Sequence, residues 1–416
     1  MLQKYKHIIS QLHQNKVLDN YGYMTALQLL SALIGFVLYP IVIRRVGIEQ
    51  YGWYVFIFTI VQYFQIVIEF GFDFPAIKAV SFHRDNKEQL SKIVSVMACV
   101  KGLLFMVMAA VAILVVEYVE VLSTHRLLFW VLFAQNAVNI LFPQWYFQGM
   151  KQMKIPTVIN LLCRIAQIPL VIGLITAGGE VVVYAAIVTG TMMLGAVAAM
   201  VYMLGQGIRF CTVSKADILE YVRAGWPFFL TDLAGSLKER VLTNIIGVFL
   251  GMREVAIYDL ASKVVQIPRM FTQSINKALF PEVVTKATRE LVNKILRYER
   301  WIGLGMMVFV VALGYWIVLF MGGKEMLDAY PAAVILSASI YTWLVVGAYL
   351  QFVFISTNHY SFVTWNQVVA LLTCLLIAGI GLWLCPSVLV VVSAIVVSGF
   401  AEIMFCRMMC KKKQLL

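Results

Sequence analysis

Asp259, Lys263, Gln266, Met270, Gln273 and Lys277 recur at the three- and four-residue spacing that puts them on one face of a helix, with Ser262, Arg269 and Asn276 beside them. Cations strung along a helix offer successive partners to a moving anion without one deep trap, and arginine grips phosphate oxygens bidentately. The pattern predicts binding and passage of an anionic group. The preceding stretch adds Asp232, Ser236, Glu239, Arg240 and Asn244 on a neighbouring sector, with Lys238 roughly opposite. Upstream, Asn160, Arg164 and Gln167 fall on one helical face, and Gln62, Gln65, Glu69 and Asp73 on another. Candidate substrate-binding residues are Arg164, Lys238, Arg240, Lys263, Gln266, Arg269, Gln273 and Lys277, and candidate ion-coupling acids are Glu69, Asp73, Asp232 and Asp259. The competing expectation is that these charges fasten helices together, as Asp259 with Lys263, Glu239 with Lys263, or Glu69 and Asp73 with Lys78. Lys101 is expected to snorkel out of its span.

Other chemistry lacks its residues. His7, His13, His83, His125 and His359 keep no ligand spacing with a carboxylate or thiol, so the pattern predicts no metal centre. No glycine-rich loop precedes a Lys-Ser/Thr pair, and no catalytic residues are assigned. The seven cysteines are scattered through apolar runs and read as small hydrophobes.

The elements that must position the polar stripe are membrane helices. Only 13% of the 416 residues are charged and 62% are hydrophobic, too little charge to cover a soluble surface. Twelve apolar segments lie near 21–43, 50–68, 93–116, 127–147, 155–176, 181–204, 222–250, 255–280, 301–321, 331–355, 362–384 and 386–406. Residues 329–401 contain no charged side chain at all. With the N-terminus inside, 20 of the 33 Lys/Arg fall in cytoplasmic connections and five outside, which predicts cytoplasmic termini and accounts for most of the net charge of +12. Nucleic-acid binding therefore loses its support. The expected organisation is a cytoplasmic amphipathic N-terminus (1–19), an N-terminal six-helix bundle (20–208), a C-terminal six-helix bundle (209–406) and a basic cytoplasmic tail (407–416). Residues 282–300 have the pattern of an interfacial amphipathic helix or a solvated loop.

The two halves also look alike. The 46–54 segment aligns with 250–258 at an offset of 204, Phe74-Pro75 with Phe280-Pro281 at 206, and Gln144-Trp145-Tyr146-Phe147 with Gln351-Phe352-Val353-Phe354 at 207, which faces Asn160 with Asn366. Six spans per half make the repeat parallel, with its pseudo-twofold axis along the membrane normal. Such architectures predict a substrate cavity worked by rocking of the bundles.

Specific motifs point further. Arg45-Val46-Gly47, Tyr51-Gly52, Tyr54 and Phe70-Gly71-Phe72 resemble the first-to-second span signature of bacterial polysaccharide flippases in the multidrug/oligosaccharidyl-lipid/polysaccharide (MOP) exporter superfamily. Pro143-Gln144-Trp145-Tyr146-Phe147-Gln148-Gly149 is similar to the signature of its O-antigen (Wzx-type) branch, and Leu279-Phe280-Pro281 to its eighth span; the glutamate usual after that signature is absent, Met150 following Gly149. The resemblance implies an all-α, MATE-like fold. It implies translocation of an undecaprenyl-diphosphate-linked oligosaccharide to the periplasmic leaflet of the inner membrane for O-antigen or capsule assembly. It further implies alternating access through a cationic cavity without a cofactor, H+ or Na+ as a coupling ion, and membrane lipids as surroundings. A polysaccharide polymerase and a chain-length regulator stand open as partners. Trp145, Tyr146 and Tyr258 are either sugar-stacking groups or interfacial anchors. Two alternatives remain. An ion-coupled multidrug exporter of the same superfamily should carry an acidic cavity. A membrane enzyme acting on the lipid-linked glycan should carry a large outer loop.

Overall fold

The computed structural model describes the backbone of residues 16–413 apart from 177, 286–288, 356 and 358, and side chains over the same span except 16–29, 32, 231, 234, 238, 239, 271–292 and 360. Within it every regular element is a helix, as backbone groups with no water to bond to require of chains in hydrocarbon. In chain order these are α1 (Lys16–Val46), α2 (Ile48–Glu69), α3 (Asp73–Phe82), α4 (Lys87–Tyr118), α5 (Glu120–Thr124), α6 (Arg126–Phe133), α7 (Gln135–Leu141), α8 (Gln144–Gly149), α9 (Lys154–Leu174) and α10 (Val181–Gly205). They continue as α11 (Lys215–Leu250), α12 (Met252–Thr285), α13 (Arg289–Gly322), α14 (Ala329–Ala348), a π-helical turn (Tyr349–Ile355), α15 (Tyr360–Leu384) and α16 (Val388–Lys413). Among the described residues nine helical stretches are long and apolar enough to cross a membrane, so the protein is an integral membrane protein.

The chain separates into two compact units. The first holds the described chain to Val46 together with Val61–Leu230; the second holds Gly47–Ile60 and the chain from Thr231 onward. One cut falls at the α1–α2 junction and the other two inside α2 and α11, so each of these two helices contributes a part to each unit.

In the first unit α9 packs on α1 and α10, and α3 packs on α8. The α3–α8 contact is possible because Gly149 has no side chain: a Cβ there would lie 2.6 Å from Val80 Cγ1. Around it Phe72, Ala76, Val80, Leu90, Met97, Trp145, Tyr146 and Phe147 form one buried cluster. Trp145 and Tyr146 are therefore core residues, neither membrane anchors nor sugar platforms, and Tyr258 is buried in the second unit as well. In the second unit α14 packs on α12, α13 and α16, and α15 on α16. Residues 289–300 are not a separate interfacial helix but the first turns of α13, where Ile295 and Leu296 join the core formed with the π-helical turn and α16. The expected amphipathic N-terminus falls largely outside the described residues.

Two junctions share one device. Gly47 (φ +90°) is the single residue between α1 and α2, and Gly251 (φ +98°) the single residue between α11 and α12. Left-handed backbone costs glycine little and other residues much, so each glycine ends one helix and starts the next without a loop.

Candidate functional site

The N-terminal half of α2 and the first turns of α12 meet in the second unit at close range. A Cβ on Gly52 would lie 1.9 Å from the Met252 carbonyl oxygen, and one on Gly247 would lie 2.3 Å from the Phe56 ring, so small residues let the backbones touch. This contact brings Tyr51 of α2 against the polar face of α12. The Tyr51 hydroxyl donates to Asp259 Oδ2 at 3.0 Å, Lys263 Nζ donates to the Tyr51 oxygen at 3.0 Å, and Lys263 closes the triangle by pairing with Asp259. The ammonium also lies 5.5 Å from the Tyr51 ring centroid, in cation–π range. Tyr51 itself is buried and stacks on Tyr54, which stacks on Phe58, both pairs at 5.8 Å. An aromatic column thus holds the hydroxyl in place.

The rest of the stripe continues from this triangle. On α12, Val255, Ala256, Ile257, Leu260, Ala261, Val264 and Val265 are buried, whereas Asp259, Ser262, Lys263, Gln266, Arg269 and Met270 are half-buried or exposed. The helix thus buries its apolar face and leaves the polar stripe partly exposed. The Arg269 guanidinium donates to Ser339 Oγ on α14, which fixes it against the wall of its own unit. Gln273 and Lys277 lie outside the described side chains, as does Lys238, while Arg240 is half-buried and Asp232 exposed.

The remaining candidates lie in the first unit. Arg164 is half-buried on α9 with Nη1 close to Gly35 of α1, 3.7 Å from where a Cβ would stand. Gln167, one turn away, is consumed by a hydrogen bond to Thr191 Oγ1 at 2.9 Å that ties α9 to α10. Glu69 accepts from Gln65 Nε2 at 2.8 Å. Asp73 pairs at 2.8 Å with Lys101, which does not snorkel: its side chain is 4% exposed against 49% for the aspartate. The structure therefore brings Tyr51, Asp259 and Lys263 together, with Gln266 and Arg269 on the same face, and describes the first-unit candidates separately.

Two carboxylates escaped the sequence-based selection. Glu402 on α16 is buried and accepts from Asn366 Nδ2 of α15 at 3.0 Å, while the Asn366 Oδ1 accepts from Cys406 at 3.4 Å. Glu299 on α13 is buried too. The available signal was an acid within an apolar span, which Glu402 presents at the end of the long uncharged run.

The motif residues divide between framework and site. The Arg45 guanidinium caps α9 by donating to the Ile172 and Ile175 carbonyls. Gly71 has φ +67°, and a Cβ there would lie 2.6 Å from Phe228 Cβ of α11; Phe70 stacks on Phe229 at 4.7 Å and Phe74 on Phe228 at 5.0 Å. Among the described motif side chains, Tyr51 is the one that reaches Asp259 and Lys263.

A putative O-antigen transporter of Escherichia coli (strain K12) is 22% identical over 269 residues, 64% of this chain and 64% of its own length, so the match spans just under two thirds of that relative. A putative O-antigen transporter of Shigella dysenteriae is 21% identical over 82% of this chain and 92% of its own length. The fold is similar to an inward-facing multidrug resistance MATE family transporter of the MOP superfamily (TM-score 0.67, 14% identity, covering 92% of this chain and 99% of that one). It is also similar to the lipid II flippase MurJ in an inward closed conformation (TM-score 0.72, 12% identity, covering 93% of this chain and 87% of that one). Residues 17–286 match the family model described as polysaccharide biosynthesis protein, a span that includes both motifs and the Tyr51–Asp259–Lys263 triangle, and the chain belongs to that family.

Proposed function

We propose that the protein is a flippase of the MOP superfamily, a transporter and not an enzyme, which moves undecaprenyl-diphosphate-linked oligosaccharide from the cytoplasmic to the periplasmic leaflet of a bacterial inner membrane for O-antigen or capsule assembly. The observation that carries this is a partly exposed row of polar and cationic side chains along α12 in a chain whose family is polysaccharide biosynthesis. A diphosphate drawn through hydrocarbon without partners would face a prohibitive cost. In this reading Lys238, Arg240, Lys263, Gln266, Arg269, Gln273 and Lys277 give the second unit a cationic substrate-binding face, Arg164 is a further substrate-binding residue of the first unit, and transport proceeds by alternating access. The cation excess argues against a drug-cation exporter.

Supporting the finer architecture, α1, α11 and α12 have 31, 36 and 34 residues and are each long enough to span. Adding them to the nine gives twelve spans. The matched glycine junctions at 47 and 251 fit a parallel repeat of two six-helix bundles, and so do the irregular segments at 142–149 and 349–355. The excess of Lys/Arg on alternate connections favours cytoplasmic termini. A polymerase and a chain-length regulator are the natural partners for the product.

The triangle gives ion coupling a concrete route. Lys263 cannot serve a diphosphate and Asp259 fully at once, so an arriving phosphate frees the carboxylate to take a proton or a sodium ion, with Tyr51 holding the carboxylate in place. Glu69, Asp73 and Asp232 are the other acids in this role. The test is deletion of the gene followed by location of the undecaprenyl-linked intermediates. Accumulation in the cytoplasmic leaflet, restored to export by the wild-type chain, is the expected result. Accumulation in the periplasmic leaflet would overturn the proposal.

A further inference from the structure

A second cationic site lies in the first unit, away from the α12 stripe. Lys87, Glu88, Gln89, Ser91 and Lys92 of the first turns of α4 face Gly207, Arg209, Cys211 and Thr212 of the α10–α11 connection across a pocket of about 390 Å³. That volume lies within the range of small-ligand sites.

The pocket wall is fixed from three sides. Buried Ser91 Oγ accepts from the Arg209 backbone N–H at 3.0 Å, and buried Ser95 Oγ accepts from the Cys211 N–H at 2.9 Å, so two serines one turn apart pin the connection onto α4. Gly207 has φ +91°, and the Lys87 ammonium lies 3.1 Å from where a Cβ would stand, so the chain turns directly over the lysine head. Lys92 is held at 2.8 Å by Asp217 of α11. Lys87 and Arg209 have no ion pair among the described residues, although Glu88 stands beside them.

The depth of the pocket follows from α4. Its 32 residues rise about 48 Å, well beyond the roughly 30 Å hydrocarbon thickness. The surplus is polar at the start: Lys87, Glu88, Gln89 and Lys92 precede a run from Ile93 to Val116 whose one charged residue is Lys101. Residues 87–92 rise about 9 Å, close to the depth of one headgroup layer. Two cations without ion pairs and a third shared with Asp217 thus converge at headgroup level beside a pre-formed cavity, on a face that fits an oxyanion.

We propose that this pocket binds the phosphate group of a membrane lipid. Phosphate oxygens would meet Lys87 and Arg209, with Ser91, Gln89 and Thr212 as neutral partners, while the acyl or prenyl chain remains beside α4. The inference does not depend on the transport reading, since it needs only an anionic lipid at that surface.

The test uses the purified full-length protein in neutral detergent and native mass spectrometry with three probes: dioleoylphosphatidylglycerol, farnesyl diphosphate and inorganic pyrophosphate. At about fivefold per cation removed near an anionic headgroup, the K87Q/R209Q double variant should bind the lipid probes about 30-fold more weakly. K78Q, which removes an exposed lysine elsewhere, should bind them as the wild type does. Preference for dioleoylphosphatidylglycerol identifies bulk anionic phospholipid as the source, and preference for farnesyl diphosphate identifies a prenyl-linked lipid. Unchanged lipid binding in the double variant, an equal loss in K78Q, or binding of inorganic pyrophosphate as tight as that of both lipids would overturn the proposal. Surface polysaccharide measured in the same strains reports on transport separately.

Discussion

The Lys101–Asp73 pair of the first unit and the Lys263–Asp259 pair of the second are built in opposite senses. In the first unit Lys101 is 4% exposed and its partner Asp73 is 49% exposed, so the cation is the enclosed member. In the second, Lys263 is 36% exposed and Asp259 19%, with the Tyr51 hydroxyl bridging them. An enclosed ammonium cannot exchange its carboxylate for another anion without reorganising the helices around it. A half-exposed one can, because its open side is already accessible. The same residue pair thus has its cation enclosed in one unit and half open in the other, and what separates them is which member the packing covers.

The largest effect should come from the accessible lysine. In the proposed transport role, Lys263→Ala should reduce surface polysaccharide by about tenfold to a hundredfold, the value of one charge-assisted contact to a phosphate, while the protein still inserts at normal levels. Export at the wild-type level, measured by gel analysis of surface glycan, would place both pairs in the fastening class. Next is Asp73→Ala, which strands the enclosed Lys101 and should destabilise the protein by about 2–3 kcal/mol. That is below the range for breaking a fully buried pair, because the aspartate is half exposed. Thermal unfolding in detergent checks it, and Lys101→Met should unfold closer to the wild type than Asp73→Ala does. Asn366→Leu removes a donor from buried Glu402 and should cost about 1–3 kcal/mol in the same assay. Tyr51→Phe keeps the aromatic column and deletes only the bridge, so about 1 kcal/mol and a severalfold loss of export are expected. A loss as large as that of Lys263→Ala would make the hydroxyl itself a ligand group. The smallest effect belongs to the exposed Arg126–Glu117 pair, where Glu117→Gln should shift stability by less than about 0.5 kcal/mol.

The sequence carried the helices and the placement of the stripe because both are local. Apolar runs of 20 or so residues leave a chain in lipid little choice but helix, and helical spacing alone put Asp259, Lys263, Gln266 and Arg269 on one face. The Asp259–Lys263 pair is local as well, four residues apart on one helix. Partner choice at longer range was not legible. Lys101 takes Asp73 from another helix, and Tyr51 joins a pair more than 200 residues away because Gly52 lets two backbones touch. Trp145 and Tyr146 could not be assigned to core or surface from their types. Their burial depends on α3 approaching α8 over Gly149, a contact that periodicity does not encode.

The one-residue junctions at Gly47 and Gly251 also have a consequence for probing the molecule. With no extended backbone between α1 and α2 or between α11 and α12, those turns leave a protease nothing to thread into its cleft and an inserted epitope tag no room. The connection from Gln206 to Ser214, although pinned by two serines, is the longer non-helical stretch and the better place to cut or to tag.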